Sequence, residues 1–145
     1  MNTSPTAARI PFFLLVSLAV YCAASLIHFT HNAEFISDYP NLPAWLTRSK
    51  VYLAWLAVSS VGVVGVVLLH ARLRRSGLLL IAAYALLGFA GLDHYWVAPF
   101  AAHSLAMHAT IGFEVVSAAV LLVATLSLAF RPFHRSAATT SRSTR

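Results

Sequence analysis

Charge is what this chain has least of. Only four of 145 residues are acidic and 10% are charged at all, against roughly 25% in a soluble domain. A surface that sparse in charge belongs in a bilayer rather than in water. Cysteine is equally scarce: Cys22 alone excludes an internal disulfide and a Cys-x-x-Cys-His haem attachment, and its apolar neighbours mark it as a small packing residue. No Gly-x-Ser-x-Gly elbow and no phosphate-binding glycine loop is present, which removes serine-nucleophile and nucleotide chemistry. Lysine occurs once, at Lys50, and the other nine basic residues are arginine. With abundant alanine, this suggests a GC-rich bacterial source. The net charge of +6 sits outside the apolar runs, so it reads as topogenic charge and headgroup contact and not as a nucleic-acid surface.

What is present is apolar: 59% of the residues are hydrophobic, gathered into four runs. They predict an all-α, integral membrane bundle of four transmembrane helices, with spans at about 10–29, 50–70, 77–97 and 104–130. Each run is close to the ~20 residues that cross hydrocarbon at 1.5 Å per residue. A cleaved signal peptide is the rival reading of the first run, since Arg9, the apolar stretch and Ala23-Ala24-Ser25 imitate its three regions. Residues 1–9 form a short N-terminal segment, and residues 131–145, rich in Ser, Thr, Ala and Arg, read as a disordered tail. Between the first two runs, Asp38, Pro40, Asn41 and Pro43 mark an interfacial loop, with Tyr39 and Trp45 at headgroup level. Ser59, Gly62 and Gly65 give the second run a small stripe for close helix contact. Ser104 is a candidate N-cap for the fourth.

With four spans, one side of the membrane receives Arg9, Arg72, Arg74, Arg75, Arg131, Arg135, Arg142 and Arg145, and the other only Arg48 and Lys50. Basic residues accumulate on the cytoplasmic side. The expectation is an up-down-up-down bundle of the bacterial inner membrane with both termini cytoplasmic.

That topology places the unusual side chains. His28 lies seventeen residues past Pro11, roughly 26 Å along a helix, and Asp93-His94 about sixteen past Gly77, roughly 24 Å. Both reach the same outer level, where His103 and His108 open the fourth run. All four acids, Glu34, Asp38, Asp93 and Glu114, and five of seven histidines fall in this outer half. Ionisable groups in a membrane are costly unless paired or facing a cavity, and by default mark a site.

The stretch LIHFTHNAEFISD, residues 26–38, opens that site: His28, His31 and Glu34 are spaced three apart on one helical face. On the fourth run His103, Met107, Thr110, Glu114 and Ser117 form a single stripe, while His108 points about 120° away from Glu114. The first reading is a transition metal ion, Zn, Cu or Fe, held by His28, His31, Glu34, His94 and His108. A second is haem b or a quinone, with axial or headgroup ligands from His28, His94 and His108 and room for the macrocycle at Gly88, Gly91 and Gly112. A third is metal-free proton-coupled transport or acid-base chemistry on a lipid-like substrate, with Glu114 and Asp93 as the reacting carboxyls. A purely structural role, the groups satisfying one another inside a partner subunit, is the fourth. The partners implied are the lipid bilayer and, beyond it, a homo-oligomer or a larger membrane complex. The sequence locates a site and names no reaction.

Overall fold

The structure, a computed structural model, describes residues 10–130. The expected N-terminal segment and C-terminal tail lie outside the described residues. The α-helices among them are α1 (Phe12–Glu34), α2 (Arg48–His70), α3 (Arg74–Leu87), α4 (His94–Val97) and α5 (Leu105–Ala129), joined by turns and short 3₁₀ segments. Four segments, Phe12–Glu34, Arg48–His70, Arg74–Val97 and Leu105–Ala129, are long and apolar enough to cross a membrane. In the packing, α1 lies against α2 and α5, and α3 against the same two helices.

The bundle is apolar on both its inside and its outside. Leu14, Tyr21, Ile81, Ala85, Ala118 and Leu121 fill its centre, while Leu53, Val63, Leu79, Val116 and Val123 face outward. Such an outward apolar surface is a liability in water and the expected one against lipid tails. With lipid as apolar as leucine, close packing has to hold the helices together, and small residues permit it. The stripe on α2 does this: a Cβ at Gly62 would stand 2.6 Å from the Tyr84 ring, and one at Gly65 2.8 Å from Ile81. Across the same seam a Cβ at Gly77 would come within 2.9 Å of the Gly65 carbonyl oxygen.

Two details of the helices go beyond the expected spans. The first helix continues past residue 29 to Glu34, because no proline or glycine intervenes before Pro40. Thr30 to Glu34 are therefore helical, and His31 and Asn32 sit on the same rigid element as His28. The third span is not one continuous α-helix. It tightens into a 3₁₀ segment at Gly88–Asp93 before α4 resumes. Glycine enables this by close approach: a Cβ at Gly88 would meet Tyr21 at 2.6 Å and the Ala118 Cβ at 2.7 Å. A 3₁₀ stretch inside a helix often marks a functional position, and here it delivers His94. The fourth helix starts as expected, with the Ser104 hydroxyl accepting from the Met107 amide at 3.2 Å.

Candidate functional site

Three elements meet at one end of the bundle. On α1, His28, His31 and Asn32 are spaced three and four apart, so they share one face. On α5, Thr110 and Glu114 face inward one turn apart, with Met107 and Ser117 continuing the same buried stripe. From the third span, the 3₁₀ segment turns His94 toward both.

His28 is the hub, only 2% exposed. Its Nδ1 lies 3.4 Å from the Thr110 hydroxyl oxygen, and that hydroxyl donates to the Met107 carbonyl at 3.1 Å. Its Nε2 stands 3.6 Å from Glu114 Oε2. The amide of Asn32 donates from Nδ2 to His28 Nε2 at 3.1 Å and to His94 Nε2 at 3.2 Å. One side chain thus bridges two imidazoles from different helices, whose rings sit edge to face at 5.4 Å. With both Nε2 atoms accepting, the proton of each ring is on Nδ1, and His28 Nδ1 donates to Thr110.

One buried oxygen in this group has no hydrogen-bond partner, Asn32 Oδ1. Ser25 is fully buried on α1, its hydroxyl beside the Glu114 carboxyl. Gly91 leaves that carboxyl its space, since a Cβ there would lie 3.2 Å from Glu114 Oε2 and 3.8 Å from His28 Nε2. Burying a polar atom without a partner costs a few kcal/mol. An orphan between two imidazoles, with a carboxyl close by, is therefore a feature of a working site more than of a settled core.

The loop after α1 closes the end. Tyr39, expected at headgroup level, is buried, its hydroxyl 2.8 Å from His31 Nδ1 and its ring 5.0 Å from that of His94. Its burial has a local cause: the 3₁₀ turn Ile36–Asp38 folds the chain back over α1. Asn41, at φ 58°, then pins the loop by donating from Nδ2 to the Val97 carbonyl at 3.0 Å. Burial pushes the Tyr39 phenol up to about 12, so it stays a neutral hydrogen-bonding group over the physiological range.

The residues singled out from sequence separate into three places. His28, His94 and Glu114 come together, and His31 joins them through Tyr39. His108 does not reach Glu114, as its helical phase indicates. It instead stacks on Phe100 at 3.8 Å and bonds the Tyr95 hydroxyl at 2.8 Å, with the His103 ring 5.9 Å away. This second aromatic cluster touches the first through the His94 and His103 rings, 6.3 Å apart. Glu34 points outward to α2, pairing with Arg48 and accepting from the Tyr52 hydroxyl at 2.7 Å. Asp93 is exposed beside His94. Gly88 and Gly91 are filled against by Tyr21, Ala118 and Glu114, while nothing lies within 4 Å of a Cβ built on Gly112. Among the described residues, no three His, Cys, Asp or Glu side chains are grouped so as to hold a metal ion.

Sequence reasoning did not single out Asn32 and missed its bridging role. The available signal was its position four residues after His28, one turn on along the same face. Compared with protein-family models, with curated proteins and with solved structures, the chain matches none, so the functional reading rests on this geometry.

Proposed function

We propose that the protein is a multi-pass protein of the bacterial inner membrane whose His28–Asn32–His94–Glu114 centre handles protons. Its helices run up-down-up-down with both termini cytoplasmic and the centre toward the periplasmic face. Eight of the ten basic residues fall on the termini and the α2–α3 turn under that arrangement, as the positive-inside rule requires.

The observation that carries the proton reading is the Asn32 bridge. As drawn above, the amide donates to two unprotonated Nε2 atoms. Turned over, its Oδ1 would instead accept from two Nε2–H groups, so one rotation serves both proton placements on each ring. Glu114, inside the span, supplies an acid at the deep end of the chain. The buried carboxyl and imidazole groups form a relay leading from Glu114 to His28 and on to His94 and the loop-covered end, with the Asn32 amide holding the two rings together. Glu114 exchanges the proton, His28 and His94 pass it, and Asn32 and Thr110 orient the rings. Asp93, exposed beside His94, is the natural exit group.

One observation favours a metal instead. Two Nε2 atoms converge on a single point, the Asn32 nitrogen, with a carboxylate oxygen close by. If the amide swung out, His28, His94 and Glu114 would offer a two-histidine, one-carboxylate set suited to Zn, Cu or Fe. A haem fits less well, because the Asn32 amide occupies the space between the two imidazoles.

Full-length protein in liposomes loaded with a pH-sensitive dye, driven by a potassium diffusion potential, tests the relay. Proton flux above that of empty liposomes, lost in Glu114→Gln and in His28→Gln, is the expected result. Flux no greater than in empty liposomes overturns it. Stoichiometric metal in the purified protein, lost in a His28→Ala, His94→Ala variant, would establish the metal reading in its place.

A further inference from the structure

Three hollows follow one another along the outer side of the seam between α1 and α5. The first, about 340 Å³, lies among His31, Phe35, Asp38, Ser104 and Ala106. The next, about 440 Å³, shares His31 and Phe35 with it and adds Leu26, Ile27 and Thr110. The last, about 230 Å³, is walled by Val16, Val20, Phe113 and Val120. From His31 to Val16 is fifteen residues, roughly 22 Å of helix. Polar atoms contribute to the first hollow, whereas the surfaces of the other two are almost wholly apolar. The seam thus has a head end and a tail end.

Hydrogen-bond direction specifies the head. Thr110 gives its own proton to the Met107 carbonyl, so toward the Tyr39 hydroxyl beside it its oxygen accepts. Tyr39 donates there and accepts from His31 Nδ1–H. The Nε2 of that neutral ring is then a bare acceptor. It has no partner among the described residues and, unlike Asn32 Oδ1, it is not shut in. In the same hollow the Ser104 hydroxyl accepts from the Met107 amide and keeps its proton to donate. A head that both donates and accepts, a hydroxyl, suits the pair. Charge disfavours an anion: Glu34 and Asp38 line the hollows, while the nearby bases Arg48 and Lys50 are bound to Glu34 and to the Trp45 carbonyl. The exposed Phe35 ring, 4.8 Å from that of His31, offers a flat face for an aromatic head. The length of the seam specifies the tail. It exceeds the ~15 Å of one leaflet's hydrocarbon, so an acyl chain anchored in that leaflet stops short of the last hollow, and a long prenyl tail crossing the midplane reaches it. We propose that this seam binds one prenylated hydroquinone, with a hydroxyl on His31 Nε2 and Ser104, the ring over Phe35 and the tail passing Ile27 and Val20. The binding is independent of proton handling, since no member of the His28–Asn32–His94–Glu114 centre lines the seam.

Native mass spectrometry of the full-length protein in mild detergent, kept anaerobic and titrated with a long-tailed ubiquinol, tests this. One molecule per chain should be retained, about fivefold more tightly than the matching ubiquinone, which lacks the hydroxyl for His31; that is the effect of one hydrogen bond. His31→Phe should remove the preference. Ala106→Trp, which fills the head hollow from an exposed position, should abolish retention. Val20→Trp should weaken the long-tailed ubiquinol and leave a short-tailed one unchanged, and Leu79→Trp, on α3, should change neither. If His31→Phe does not fold, Ala106→Trp decides, and undiminished retention there overturns the proposal. Equal retention of ubiquinol and ubiquinone also overturns it. Displacement by an equal concentration of a polyprenol would show a site for the tail alone and overturn the aromatic head. Displacement by an equal concentration of phosphatidylglycerol would show ordinary lipid contact and overturn the site.

Discussion

The two ends of this bundle are built from the same four spans by different means. At the end holding Gly77, Gly65 and Leu128, helices touch through glycine and aliphatic side chains, and Arg74 on α3 bonds the Leu128 carbonyl of α5. At the other end they are joined by hydrogen-bonding side chains: Asn32 between two histidines, Tyr39 on His31, Tyr95 on His108. The first kind of contact is rigid and has one arrangement. The second has several, because imidazoles have two tautomers and an amide can be turned over. Stability is concentrated in the glycine seam, and adaptability in the histidine end.

The comparison breaks most visibly at the seam. Gly77→Ala places a methyl within 2.9 Å of the Gly65 carbonyl oxygen, which is backbone and cannot move aside. It should cost about 1–3 kcal/mol, read as a lower thermal midpoint in detergent, with any proton flux per folded molecule unchanged. Asn32→Leu does the reverse. It leaves two Nε2 atoms without their donor, costing about 1–2 kcal/mol, and should abolish relay activity in protein that remains folded.

The third prediction sharpens the role of the loop. The folded Tyr39 phenol ionises near 12, against about 10 when unfolded, so the folded state holds its proton more tightly. Its contribution is fully present below pH 10 and is lost as pH rises toward 12. Chemical denaturation across that range should show stability falling, and Tyr39→Phe should remove that part of the fall. The smallest effect belongs to Glu34→Gln. Its ion pair with Arg48 lies on the surface, where such pairs contribute little, and both the thermal midpoint and the flux should stay at the wild-type value.

Much of the architecture was legible because it depends on run length. Four apolar runs gave four candidate spans, and the Ser104 cap was readable from one residue. The break at Gly88–Asp93 was not, since it arises from the approach of Tyr21 and Ala118, which are distant in sequence. For the site, helical phase put Thr110 and Glu114 on one stripe and turned His108 away, as found. Depth counting brought His28 and His94 to one level, and they meet. Glu34 could not be placed the same way: its spacing from His31 fits a shared face, yet Arg48 and Tyr52 of α2 draw it outward. The Tyr39–His31 contact was not legible, because a tyrosine next to a span looks alike whether it faces headgroups or folds back onto a histidine.

The account turns on His28 and His94 forming one coupled unit through Asn32. Side-chain ¹⁵N spectra of the full-length protein, followed through a pH titration in wild type and in Asn32→Leu, test that directly. The expected result is that the single substitution shifts the titration of both His28 and His94 and leaves His70, on α2, where it was. Unchanged curves for the two histidines, each titrating as it does in the wild type, would contradict the claim.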